Sequence, residues 1–560
     1  MSKRNVIIEL KHRKPLARYA TAAAEEEEPG FDHAVVPKLE ALAYDESFPV
    51  VGVAGLRSRK QSDDPFDTSA LLEINEEPEA TTYIVRGTVD EDALESLEEQ
   101  AERHNAVAGV FVDRLLQTQI VCPGSPPVGT DNDVEGLLCT SKMHRQRMDG
   151  RGVLVAIVDT GVNTAYLSAQ GKHPTFDLGR SWAWKGGLTP GSMAVGHGTM
   201  CAFDVCIAAP RCTLLDIAVL HPIAPPPGGT VMGALLSDAI RAYRHLLSIM
   251  LVPHRPGENR SMVVNNSWGM FHPSWDYPVG HPGNYSDNPN HPFNRIVASL
   301  ERAGADILFA AGNCGADCPD GRCQGTTSNA IYGANSHPAV LCVGGVDTNK
   351  DRVGYSTIGP GRITRRKPDI CGYTHFSGSG VYPADGGTSA ATPVVSGVVA
   401  GVRSKRPYNP SDAQTHPEAI RNLLRSTAED RGAAGYDYRY GYGIVDGCAL
   451  VDKLVPPVKP PPVDICRWFP WICDPRWWRH IGLRPPFPLP LQAAAGAPAV
   501  VDGDKRCPIS QMLPGAEFAP TEEMPSPEQL AYFFGYQVGL QRTSPPEHHS
   551  DCGCGEKERQ

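Results

Sequence analysis

Between about residues 130 and 455 the sequence is punctuated by short runs that are apolar almost from end to end: GVLVAIVDTG, CTLLDIAVL, SMVVNNSWG, ADILFAAGN and AVLCVGGVD. A strand with one face in water alternates apolar and polar residues, so runs without alternation describe strands covered on both faces, as in a parallel sheet between helices. Helical segments at about 230–250, 291–304 and 389–403 fall between or after these runs, and Gly-rich turns join them. The pattern specifies an α/β fold, a doubly wound and mostly parallel sheet flanked by helices. Ligands of such sheets gather at the carboxyl ends of the strands, and the search for chemistry starts there.

The chain is 560 residues long, too long for one ordinary domain. Four regions follow from composition. Residues 1–79, with the acidic run Glu25 to Glu28 and the linker-like patch SRKQSDDPFDTS, read as an acidic, partly disordered region. Residues 80–121 read as a small α+β domain: a strand in TTYIVRGTV, a helix in EDALESLEEQAERHN with Leu94, Leu97 and Ala101 on one face, and a strand in AVAGVFV. A Pro/Gly-rich stretch, CPGSPPVG, separates it from the large domain at 130–455. The extension 456–560 opens with PPVKPPPVDICRWFPWICDPRWWRH, too rich in Pro for a helix and too rich in Trp for a solvated linker. It reads as a belt that docks on the large domain, or as a contact for a protein partner or a membrane surface, with a further helix at about 526–541.

A net charge of −11 leaves no basic field of the kind that holds nucleic acid, so DNA and RNA are not expected partners. No window carries the roughly 20 apolar residues that cross a bilayer, and the first thirty residues lack the apolar core of a secretory signal, which points to a cytoplasmic location without excluding export. Sixteen cysteines bear on that question, since a reducing compartment keeps thiols free and an exported protein pairs them. Cys314, Cys318 and Cys323 share one loop, and Cys552 and Cys554 sit beside His548 and His549; free thiols, a disulfide clip and a metal clip all remain open.

Three segments carry the chemistry. AIVDTGV places Asp159 at the end of a buried strand, VGHGTMCAFDV places His197 at a helix start, and DGGTSAATPVV places Ser389 at another. A serine hydroxyl is a poor nucleophile near neutral pH, so amide hydrolysis needs an imidazole to take its proton and a carboxylate to orient that imidazole. D-T-G after an apolar strand, H-G-T opening a helix and G-T-S-x-A-x-P at the serine, in the chain order Asp, His, Ser, resemble the subtilases.

That resemblance implies a serine endopeptidase acting on polypeptides, in which Ser389 attacks, His197 carries the proton and Asp159 fixes its tautomer. FAAGNCG resembles the family's oxyanion block and gives Asn313 the oxyanion, with the Ser389 backbone N–H as a second donor. NNSWG resembles the wall of the substrate cleft, with Ser267, Trp268 and Gly269 along the substrate strand. Cys201, one turn after His197, resembles the cysteine that sits under the histidine in proteinase K-like members. The 80–121 domain resembles a subtilase propeptide in shape and position; it is expected to pack on two helices, feed its last strand into the cleft and be cut off at about 116–128. No cofactor is needed for the chemistry. Structural calcium is common in the family, and the loop GNCGADCPDGRC, similar to one in kexin-like members, offers Asp317 and Asp320 as ligands. Two other functions carry the same motifs: a maturation protease with one cognate substrate recruited by the C-terminal extension, and an inactive scaffold that binds.

Overall fold

The computed structural model describes residues 3–11, 36–53, 82–118, 125–223, 231–252, 259, 261–455, 476 and 480. Two compact units divide the chain, Met1–Pro456 and Pro457–Gln560. Of the second, only Arg476 and His480 are described, so the expected Trp/Pro belt, the last helix and the His/Cys tail lie outside the described residues, as does the run Glu25 to Glu28.

The strands of the first unit are β1 (Lys3–Leu10), β2 (Ala43–Tyr44), β3 (Val51–Val53), β4 (Thr82–Asp90), β5 (Val107–Val112), β6 (Leu115–Thr118), β7 (Leu154–Asp159), β8 (Thr175–Phe176), β9 (Trp182–Ala183), β10 (Thr213–Ala218), β11 (His221–Ile223), β12 (Val231–Leu235), β13 (Met262–Asn266), β14 (Trp268–Gly269), β15 (Ala305–Ala310), β16 (Val340–Val346) and β17 (Ile370–Tyr373). Five helices matter for the site: α1 (Leu94–Arg103), α2 (His197–Ala208), α3 (Leu236–Leu251), α4 (Pro292–Arg302) and α5 (Gly387–Lys405).

The large sheet runs β17-β16-β15-β13-β7-β10-β8, with β9 also beside β10, and its pairings are parallel. The five apolar runs are β7, β10, β13, β15 and β16. Their two-sided burial is explicit in β7: Val155 and Ile157 enter one core with α2 and α5, while Ala156 and Val158 enter the other with α3 and α4. β10 and β13 lie on opposite sides of β7, so the order reverses at β7 and opens a crevice at its carboxyl end. This is the doubly wound α/β arrangement that the sequence specifies.

The small N-terminal unit departs from its expected boundaries. β1, drawn from the region 1–79 read as acidic and partly disordered, is the central strand, antiparallel to β4 along Lys3–Leu10 and to β5 along Val6–Leu10. β2 and β3 add to β4. The reading of 80–121 as a self-contained domain is therefore corrected: β4 and β5 do not pair with each other, and without β1 both would expose unpaired backbone. Alternation along β1 sends Val6, Ile8 and Leu10 under α1, with Leu97 and Ala101, and sends Ile7 to the core shared with α3 and α4.

Contacts with those two helices are specific. Asp113 accepts from the backbone N–H of Ser237 (2.9 Å) and from its hydroxyl (2.6 Å), satisfying one donor at the N-terminus of α3. Burial raises the Asp113 carboxyl to about 7. Arg86 pairs with Asp238 at 3.1 Å, and Arg295 on α4 donates to Glu9 (2.6 Å) and Thr82 (2.9 Å). Cys139 is joined to Cys448 across 309 residues of sequence. No described helix is long and apolar enough to cross a membrane.

Candidate active site

The carboxyl end of β7 delivers Asp159, fully buried, and the start of α2 delivers His197. Asp159 Oδ1 accepts from the backbone N–H of Thr160 (2.7 Å) and faces His197 Nδ1 at 2.8 Å. Thr160 Oγ1 in turn accepts from the backbone N–H of Gly198 at 2.9 Å, so the Asp-Thr-Gly turn and the His-Gly-Thr helix start hold each other. With Nδ1 committed to the carboxylate, the lone pair of the neutral ring lies on Nε2, the atom a general base needs. His197 Nε2 is buried and has no hydrogen-bond partner.

Ser389 stands in the first turn of α5. Its hydroxyl donates to the carbonyl of Ser267 at 3.1 Å, and its own carbonyl accepts from Ser267 Oγ at 2.9 Å. Cys201 lies among the three: its sulfur is 3.9 Å from both Asp159 Oδ2 and His197 Nδ1, and 3.6 Å from the carbonyl of Ser389. Burial, and then the Asp159 charge, hold this thiol well above its usual range, so it stays protonated.

Asn313 Oδ1 accepts from the backbone N–H (2.9 Å) and hydroxyl (3.1 Å) of Thr388, which fixes the amide and turns Nδ2 towards the start of α5. Gly387, at φ +75°, makes room: a Cβ there would lie 2.8 Å from Asn313 Nδ2. Two positions after Gly387, Ser389 lies in the first turn of α5, whose N–H groups have no intrahelical carbonyl, so the Asn313 amide and the helix start are both available as donors.

A second sheet crosses this site in the order β11-β12-β6-β14. β6, from the small unit, lies antiparallel between β12 (Gly233↔Gln117, Ala234↔Leu116, Leu235↔Leu115) and β14 (Trp268↔Thr118, Gly269↔Gln117). Gly233 permits the approach, since a Cβ would come within 2.7 Å of the Leu116 carbonyl. Trp268 and Gly269 therefore line the strand through their backbones. The Trp268 side chain points elsewhere: fully buried, it donates Nε1–H to Val158 at 2.8 Å and packs edge-on to Phe309. Residues 119–124, the middle of the expected cleavage window, lie outside the described residues.

Asp317 and Asp320 do not form an oxygen cage. Asp317 is taken by Arg352, and Asp320 by Arg322 at 3.0 and 2.7 Å. Two guanidinium partners do not fit a calcium site. Cys314 and Cys323 form a disulfide across that loop, the clip among the alternatives the sequence left open. Sequence reading also missed Arg322, which reaches β6, and a buried acid pair behind the site, Asp204 on α2 and Asp385 ahead of α5. Asp204 lies seven residues after His197, on the same helix face, and this periodicity is the one signal that could have found it.

The family model for the subtilases matches residues 150–443, just over half of the chain. Over 303 residues the sequence is 28% identical to Subtilisin Savinase of Lederbergia lenta, covering 54% of this chain and 92% of that protein. An alkaline protease of Shouchella clausii is also 28% identical over 303 residues, and there the match spans 65% of the relative's length. Subtilisin E of Bacillus subtilis is 24% identical over 305 residues, 67% of its length. The chain belongs to the subtilase family of serine-type endopeptidases.

Proposed function

We propose that this chain is a self-processing zymogen whose peptide-bond hydrolysis is carried out by Ser389, His197 and Asp159. Ser389 Oγ attacks the substrate carbonyl and passes its proton to His197 Nε2; Asp159 holds the ring and stabilises the imidazolium; Asn313 Nδ2 and the Ser389 N–H receive the oxyanion. The imidazolium then protonates the leaving amine, and water repeats the sequence on the acyl-enzyme. Reaching His197 requires Ser389 to leave the Ser267 carbonyl, a rotation about χ1 between staggered wells.

The observation that carries the proposal is β6: a segment of the chain itself, laid antiparallel between β12 and β14 as an extended polypeptide would be. The small unit, seated on α3 and α4, is then both template and inhibitor. No cofactor is asked for by this reading. Disulfides Cys139–Cys448 and Cys314–Cys323 favour export to an oxidising compartment over the expected cytoplasmic location.

Mass spectrometry of purified protein tests self-processing. Wild type should lose its N-terminal unit by a cut close after Thr118, and Ser389→Ala should keep it; the same intact N-terminal segment in both defeats the proposal. One observation favours the alternative of an inactive scaffold, namely that Ser389 Oγ bonds to Ser267 and not to His197. Labelling by a fluorophosphonate probe decides between the two. The cognate-substrate alternative rests on the C-terminal extension, outside the described residues.

A further inference from the structure

Gln117 of β6 is buried, and one side chain meets it. Arg322 Nη1 donates to Gln117 Oε1 at 3.0 Å and to the main-chain carbonyl of Thr118 at 2.8 Å, which uses both protons of that nitrogen. The rest of the guanidinium is held by the protein. Nε and Nη2 bond Asp320 Oδ1 (3.0 Å) and Oδ2 (2.7 Å), and the plane lies over Phe271, 3.7 Å from the ring centre. Asp320 is anchored through its own N–H to the Asn313 carbonyl at 2.9 Å. The Cys314–Cys323 disulfide closes the same loop, one residue beyond each of Asn313 and Arg322. The fork is thus fixed against the cleft strand, with its remaining nitrogen, Nη1, aimed at one side chain and one carbonyl.

We propose that Arg322 is a specificity-determining residue of this protease, selecting polypeptide substrates that present an uncharged amide side chain, glutamine above all, at the position Gln117 occupies. This rests on the reading of β6 as an occupant of the substrate strand. The bond to the Thr118 carbonyl is available to any sequence and contributes to binding generally. The bond to Oε1 is available only to an acceptor side chain. A leucine there leaves a part-buried N–H without its partner, and a lysine sets a second cation against the guanidinium. A glutamate is disfavoured for a different reason: Asp320 already neutralises Arg322, so the incoming carboxylate loses its water beside another carboxylate.

The test uses the full chain after its own activation, with peptides of the form Leu-Leu-Xaa-Thr embedded in a longer sequence, Xaa being Gln, Glu, Leu or Lys. Expected is a kcat/KM for Gln about tenfold above that for Leu, carried by KM. In Arg322→Met the ratio should fall to within about twofold, with all four peptides weakened through the lost Thr118 contact. Arg322→Lys keeps a cation beside Asp320 but not the fork, and should discriminate to an intermediate degree. It also stands in should the Met variant fail to take a fluorophosphonate label. An unchanged Gln-to-Leu ratio in labelled Arg322→Met or Arg322→Lys overturns the proposal while leaving β6 as substrate strand intact. If wild-type enzyme cleaves denatured protein elsewhere but none of the four peptides, the reading of β6 falls and this inference with it.

Discussion

At the scale of single residues, the site is built by close approaches that tolerate no extra atom. Gly387 sits at φ +75° with Asn313 Nδ2 only 2.8 Å from where a Cβ would go, so Gly387→Ala meets backbone strain and a displaced amide together. In subtilisin itself, loss of the corresponding amide lowers turnover by about 10² to 10³. Gly387→Ala is expected to lower kcat towards that range while KM for a good peptide changes little. Burst titration, which counts competent sites, separates this from simple unfolding. Asp159, His197, Ser389 and Asn313 could be proposed from the sequence because each sits in a short motif whose neighbours shape its backbone. Arg322 was not, since its meaning comes from Gln117, 205 residues away, and nothing beside it in sequence marks the contact.

Among the elements, α2 and α5 meet near the proposed catalytic groups, and Asp204 and Asp385 lie there with unequal support. Asp385 accepts from the hydroxyl and the backbone N–H of Ser379, both at 2.5 Å, whereas the fully buried Asp204 receives no such donor and faces Asp385 within side-chain hydrogen-bonding reach. Burial raises Asp385 to about 6, and burial with the neighbouring Asp385 charge drives Asp204 well above its ordinary range; Asp131 adds to the repulsion at both, and Lys172 opposes it at Asp204. The folded state holds protons that the unfolded chain releases near pH 4, so this stability is present below pH 4 and is lost as pH rises through about 6 and beyond. Asp113, at about 7 against α3, acts in the same direction. Calorimetry of Ser389→Ala, which cannot digest itself, should show Tm falling between pH 5 and 8. Adding Asp204→Asn, whose amide can donate to Asp385 without a titrating proton, should raise Tm at pH 8 by several degrees and flatten the decline. A decline of the same slope in both proteins would exclude the pair as its source.

β7, β10, β13, β15 and β16 announced themselves through unbroken apolar runs, because burial on both faces leaves no position free to be polar. β1 did not: KRNVIIEL mixes charge with apolar residues, and its partner β4 begins at residue 82. Pairing over that separation leaves no local trace, which is why the small unit was given too late a start. The Cys139–Cys448 pairing was hidden for the same reason.

Across the whole molecule, the Cys139–Cys448 bridge ties a helix near the start of the catalytic region to the helix that closes it. Closing so long a loop restricts the unfolded chain, and removing such a bridge typically costs about 2–5 kcal/mol. Cys448→Ser in the Ser389→Ala background should therefore unfold at lower temperature, read by the same calorimetry, with the small unit still seated.

The bridge has a further consequence for an enzyme surrounded by copies of itself. A nick by a sister molecule in any surface loop between 139 and 448 yields two pieces that stay covalently joined, so a damaged particle migrates as one band until a reductant is added. Wear on this protease would accumulate silently, as clipped chains that only a reductant reveals.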